Sequence, residues 1–158
     1  MTPNEATARA IAYFEQTDDM QVLRSALEES APRVKRLVAG FLRKGTEEAI
    51  PSPAELRGAR EAAPQAEALA TLRKTQDFAL LQAITRSIGR RIETMEIAAS
   101  ADFPVGVRVA VPSNSGYPRS GAELPGTVEE TGTVLKVLLD NGETWQGPAS
   151  LARLGGPR

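Results

Sequence analysis

The chain has no cysteine and no histidine among its 158 residues. Without cysteine there is no disulfide, no thiolate nucleophile and no cysteine-ligated zinc, and the lack is in keeping with a reducing compartment. Without histidine the usual general base and commonest transition-metal ligand is missing as well. Ser-His-Asp and Cys-His arrangements therefore fall together, with most zinc and iron sites. Aromatic residues make up only 4%, so much of any core must be Leu, Ile, Val and Ala. An excess of one charge is lacking too. Residues 1–100 hold 14 acids and 14 bases, and residues 101–158 hold 6 and 5, so neither part is a basic block of the kind that binds nucleic acid non-specifically. No stretch approaches the roughly 18 consecutive apolar residues of a membrane span. Met1-Thr2-Pro3-Asn4-Glu5 lacks the charge and apolar run of a secretory signal. The expected setting is cytoplasmic, without membrane association.

The acids that are present are poorly arranged for chemistry. Asp18-Asp19, Glu28-Glu29, Glu47-Glu48 and Glu129-Glu130 are neighbours in sequence, and adjacent side chains diverge in a helix or strand. Asp18 and Asp19 serve better as helix caps. No EF-hand loop, P-loop, dinucleotide fingerprint or Gly-x-Ser-x-Gly element occurs. The expectation is a protein that is not an enzyme, with no cofactor and no metal.

Two textures divide what remains. Residues 1–100 are rich in Ala, Glu, Arg and Leu at helical spacing, and residues 101–158 in Val, Gly, Pro and Thr at period two. The fold class expected is α+β: a helical domain over 1–100, followed by a small β domain over 101–158. Thr2, Pro3 and Glu5 form a capping box for a first helix ending near Gln16. Asp18 or Asp19 caps a second, carrying Met20 to Leu27. Ser30 and Pro32 restart the chain into a third, where Val34, Leu37, Val38, Phe41 and Leu42 make one apolar stripe that Gly45 ends. Ser52-Pro53-Ala54-Glu55 opens a short fourth. From Gln65 to Ala99 the pattern predicts a single long helix, with a seam at Leu81, Ile84, Ile88, Ile92 and Met95. The seam either packs within the chain or also serves a homodimer contact.

In the C-terminal part, Val107, Val109 and Val111 share one face of a first strand. A loop over 113–123 leads to a bent second strand from Pro125 to Thr131. Val134 to Asp140 is a third, with Leu135, Val137 and Leu139 on one side. Asn141-Gly142 reads as a type I′ hairpin turn. Thr144 to Gln146 is a fourth strand, and Leu151 to Leu154 closes the set after a turn. Gly106-Val107-Arg108-Val109, Gly126-Thr127-Val128, Val137 through Glu143 and Ala149-Ser150-Leu151, in this order, resemble the SH3-like small β-barrel superfamily, which includes KOW and Tudor domains and a small protein of photosystem I. The resemblance covers about a third of the chain. It implies a five-stranded barrel whose first loop contacts partners, and it leaves the ligand open because such folds are widely reused.

Three surfaces are candidates for function. Tyr117, Arg119 and Trp145 are residue types that anchor interfaces, and with the loop 113–121 they suggest a protein partner, the loop's bland alternative being a mobile linker. A Tudor-like aromatic cage would have only Phe103, Tyr117 and Trp145 to use. Arg33, Arg36, Arg43 and Lys44 on one short helix, with Arg86, Arg90 and Arg91 on the long one, are the alternative, a nucleic-acid contact. Solvated flanks of amphipathic helices look the same. Arg86 and Arg90 share a face and repel; Glu93 and Glu96 are candidates to relieve that. The leading expectation is a non-enzymatic adaptor or regulatory protein that binds a protein partner through the C-terminal domain.

Overall fold

A computed structural model describes residues 2–44 and 61–155, with backbone alone for 41–44. The expected short helix at Ser52, the stop at Gly45 and the side chains of Arg43 and Lys44 lie outside this description. The chain is α+β: four helices among the described residues, then a five-stranded antiparallel sheet. It divides into two compact units, Met1–Ile92 and Glu93–Arg158.

In the first unit α1 spans Pro3–Gln16 and α2 Met20–Lys44. The capping box is present: Glu5 N–H donates to Thr2 Oγ1 at 3.1 Å and Thr2 N–H to the Glu5 carboxylate at 3.3 Å. Asp19 caps α2 by accepting from Val22 N–H at 3.1 Å. The two helices expected on either side of Pro32 are one. An interior proline costs a helix about 3 kcal/mol, but Leu23, Ala26, Ser30 and Val34 are all buried, and their spacing of 3, 4 and 4 keeps one continuous face against the core. That burial outweighs the local break.

The single helix expected over 65–99 is two, α3 at Gln65–Lys74 and α4 at Phe78–Ser100. Thr75 closes α3 by donating its hydroxyl to Thr71 O at 2.6 Å. Arg33 reaches across from α2 to donate to Leu72 O at 2.8 Å and Thr75 O at 2.6 Å, which satisfies carbonyls that a continuous helix would have bonded internally. Asp77 then starts α4 by accepting from Leu80 N–H at 3.1 Å. Leu81, Ile84, Ile88 and Ile92 are buried in the core, as are Ile11, Phe14, Leu23 and Leu72, so the seam up to Ile92 lies inside the first unit, and Met95, half-buried, falls in the second.

The second unit holds the last two turns of α4 and the sheet. β1 is Arg108–Asn114, β2 Ser120–Glu130, β3 Val134–Leu139, β4 Thr144–Pro148 and β5 Arg153–Leu154, with a 3₁₀ turn at Ala149–Leu151. The order is β4-β3-β2-β1-β5. The sheet is open, with β4 and β5 as its edges, where a closed ladder was expected. Inward-facing Val109, Val111, Val128, Leu135, Val137, Leu139 and Trp145 form a core with Phe103, Ala149 and Leu151. The alternation expected in β3 is observed, with Val134 and Leu138 turned out to solvent.

β2 begins earlier than expected and leaves a connection of only residues 115–119 after β1. The turn at Asn141-Gly142 is not type I′. Only Gly142 has positive φ, at 90°, Gly142 N–H donates to Leu139 O at 2.9 Å and Leu139 N–H to Glu143 O at 2.8 Å. That is the three-residue loop with one left-handed glycine. Asn141 uses its side chain to accept from Glu143 N–H at 2.9 Å, which an ordinary backbone conformation allows.

Candidate partner-binding site

The connection between β1 and β2 is short and rich in Ser, Asn, Gly and Pro, which ordinarily leaves a chain mobile. Here Asn114, Tyr117 and Arg119 hold it. Asn114 donates from Nδ2 to Ser120 Oγ at 3.0 Å and accepts from Gly116 N–H at 3.0 Å, closing the loop on itself. Tyr117 and Arg119 then tie it to the 3₁₀ turn.

The Tyr117 hydroxyl hydrogen-bonds Ser150 Oγ. Ser150 in turn bonds the Glu96 carboxylate twice, through its hydroxyl and through its backbone N–H at 2.8 Å. A serine has one hydroxyl proton, and it goes to Glu96, so Tyr117 is the donor to Ser150. Glu96 is 2% exposed; a carboxylate so buried needs such partners. Arg119 donates to the Leu151 carbonyl and, at 2.8 Å, to Glu123. Arg153 on β5 bonds the second oxygen of Glu123. The loop is therefore held from two sides, by a partly buried hydrogen-bond chain and by a surface ion-pair cluster.

The Arg119 hydrogen bond, with the positive charges of Arg153 and Arg119, holds the Glu123 carboxyl below its ordinary pKa. A carboxyl depressed in the folded state contributes stability above its unfolded pKa, and the contribution is lost as pH falls through the lower folded value. The expected result is a modest loss of stability on the acid side of the ordinary carboxylate range, which Glu123→Gln removes. Urea midpoints of the two proteins between neutral and acidic pH check it: they should converge as pH falls. On the neighbouring strands Arg108 forms a two-pronged pair with Asp140, both contacts at 2.6 Å, and that hydrogen bond raises its already high pKa.

Tyr117 and Arg119 are thus brought together on the 3₁₀ turn. Trp145 lies beneath, 5% exposed. Its indole covers Gly147, where a Cβ would come within 2.6 Å of the ring and 3.1 Å of Ser115 Cβ. Trp145 is a floor under the loop, and its Nε1 has no hydrogen-bond partner.

The basic residues are used differently. Arg33 caps the end of α3, and Arg91 donates to Thr17 O at 2.9 Å and Asp18 at 2.7 Å, so both guanidiniums are turned to the chain itself. Arg36, Arg86 and Arg90 are exposed. Glu96 and Ser150 were not singled out as a pair from sequence, although an acid four residues after Ile92 continues the buried stripe of α4 and so signals a buried carboxylate. Among the described residues no group of three or more acids is placed to hold a metal ion, and no helix is long and apolar enough to cross a membrane. Comparison with protein-family models, with curated proteins and with solved structures returns no match.

Proposed function

We propose that the second unit is a small SH3-like binding module and that the chain is a non-enzymatic adaptor or regulatory protein engaging a protein partner through the loop around Tyr117 and Arg119. The observation that carries this reading is the pinned loop. Tyr117 and Arg119 anchor it on the 3₁₀ turn, while Ser113, Asn114, Ser115, Gly116 and Pro118 stay exposed. A loop ordered before it meets a partner loses less entropy on binding. The fold assignment is supported by the strand order: a four-strand meander, a tight hairpin, a short helical turn and a fifth strand returned to the first.

Further support comes from exposed apolar side chains. Ile97, Val105, Val134, Leu138 and Leu154 are the large hydrophobic residues left exposed among those described, and all five belong to this unit. Exposed apolar side chains mark interaction surfaces where they share a face, as Val134 and Leu138 do on β3. The nucleic-acid alternative is weaker, since Arg33 and Arg91 already serve the chain. A cytoplasmic setting belongs to the reading, and the cysteine-free sequence is in keeping with it.

The full-length protein, used as bait in extract from its source cells with cross-linking, tests the proposal. The wild type should capture a discrete protein that Ser115→Arg loses by tenfold or more at unchanged melting temperature. Capture of nothing, or equal capture by Ser115→Arg, would overturn it.

A further inference from the structure

The first unit contains a cavity of about 540 Å³ formed by the start of α1, the end of α3 and the start of α4. That volume is in the range of small-molecule sites, roughly 300–1,000 Å³. Pro3, Ala6, Ala70 and Leu80 give it an apolar wall, and Glu67, Lys74 and Asp77 are its charged residues.

The charges are not equally available. Glu67 is paired with Arg9 through both oxygens, at 3.3 and 3.4 Å. Asp77 caps α4 through Leu80 N–H, where the helix dipole favours a negative charge. The carbonyls that end α3 are served by Arg33, so Lys74 is not needed to cap them. Among the described residues Lys74 has no ion-pair or hydrogen-bond partner. An apolar wall of ligand size is thus left with an ammonium that has no partner of its own, beside two carboxylates that have theirs.

We infer that this cavity binds a small amphiphile, an apolar chain lying along Ala6, Ala70 and Leu80 with a carboxylate head on Lys74. The site is separate from the loop at Tyr117, so either can fail without the other. An exposed ion pair contributes at most about 1 kcal/mol, close to fivefold in affinity. Most of the binding therefore comes from burying the chain.

Isothermal titration of the full-length protein with decanoate below its micelle concentration, and with decanol as the neutral analogue, tests this. Saturable one-site binding of decanoate is expected. Lys74→Gln should weaken decanoate about fivefold, at the limit set by an exposed pair, and leave decanol unchanged. Ala70→Trp, which fills the cavity, should abolish both. Absence of saturable decanoate binding, unchanged affinity in Ala70→Trp, or indifference of decanoate to Lys74→Gln would each overturn the assignment. Lys74→Gln alters an exposed side chain and keeps the test valid should Ala70→Trp fail to fold.

Discussion

Trp145→Ala is expected to unfold the second unit, not to strip a contact from its surface. The ring is 5% exposed, lies over Gly147 and joins Val109, Val137 and Leu151 in the core. Truncating a buried tryptophan costs about 3–5 kcal/mol through lost burial and the cavity left behind. That is a large share of the stability of a unit this size. Trp145→Phe should be far milder, because it keeps an aromatic ring and deletes an N–H that has no partner. Urea unfolding followed by circular dichroism separates the two; fluorescence cannot, since Trp145 is the only tryptophan. Loss of a binding partner in Trp145→Ala would therefore report unfolding, and for that reason the loop itself is the place to test binding.

Gly126→Ala should be nearly as damaging, for a different reason. Gly126 is paired with Val109 on one side and Leu139 on the other. A Cβ there would stand 2.6 Å from Val137 Cγ1, 2.7 Å from Leu138 O and 3.1 Å from Leu139 Cα. Two of those atoms are backbone, so relief requires β2 and β3 to part. We expect a loss of about 3 kcal/mol, at the upper end for overpacking. Gly142→Ala is the control. Its Cβ would meet nothing, and the only cost is positive φ at 90°, worth about 1–2 kcal/mol. Denaturation midpoints should rank wild type, Gly142→Ala and Gly126→Ala in that order.

Features set by neighbours in sequence are legible in the sequence alone. Thr2 and Glu5, Asp19, and the alternation through Leu135, Val137 and Leu139 each depend on residues two to four positions away. The site of the β3–β4 hairpin was legible for the same reason. Its turn type was not, because Asn141 capping Glu143 competes with the left-handed conformation that the Asn-Gly pair permits. The continuous α2 was hidden because Pro32 speaks locally for a break, whereas the buried face through Ser30 and Val34 speaks for continuity only once the core exists. The division between α3 and α4 was hidden in the opposite sense. Thr75 and Asp77 are weak signals until Arg33, some forty residues earlier, supplies donors for Leu72 and Thr75.

The candidate site shows the same split. Tyr117, Arg119 and Trp145 stood out by residue type. What Tyr117 and Arg119 do depends on Ser150 and Leu151, 33 and 32 positions away in sequence, and on Glu96, buried near the end of α4. A hydrogen-bond chain across such separations leaves no periodic trace. It converts Tyr117 and Arg119 from free contact residues into anchors, and it moves the exposed part of the loop to Asn114, Ser115, Gly116 and Pro118.

Hydrogen exchange over residues 113–119 tests this anchoring most directly. In the wild type the segment, and the Gly116 amide above all, should exchange well below the rate of an open chain. In Tyr117→Phe combined with Arg119→Gln it should approach that rate, while β3 stays protected. A wild-type loop already exchanging as open chain would contradict the account.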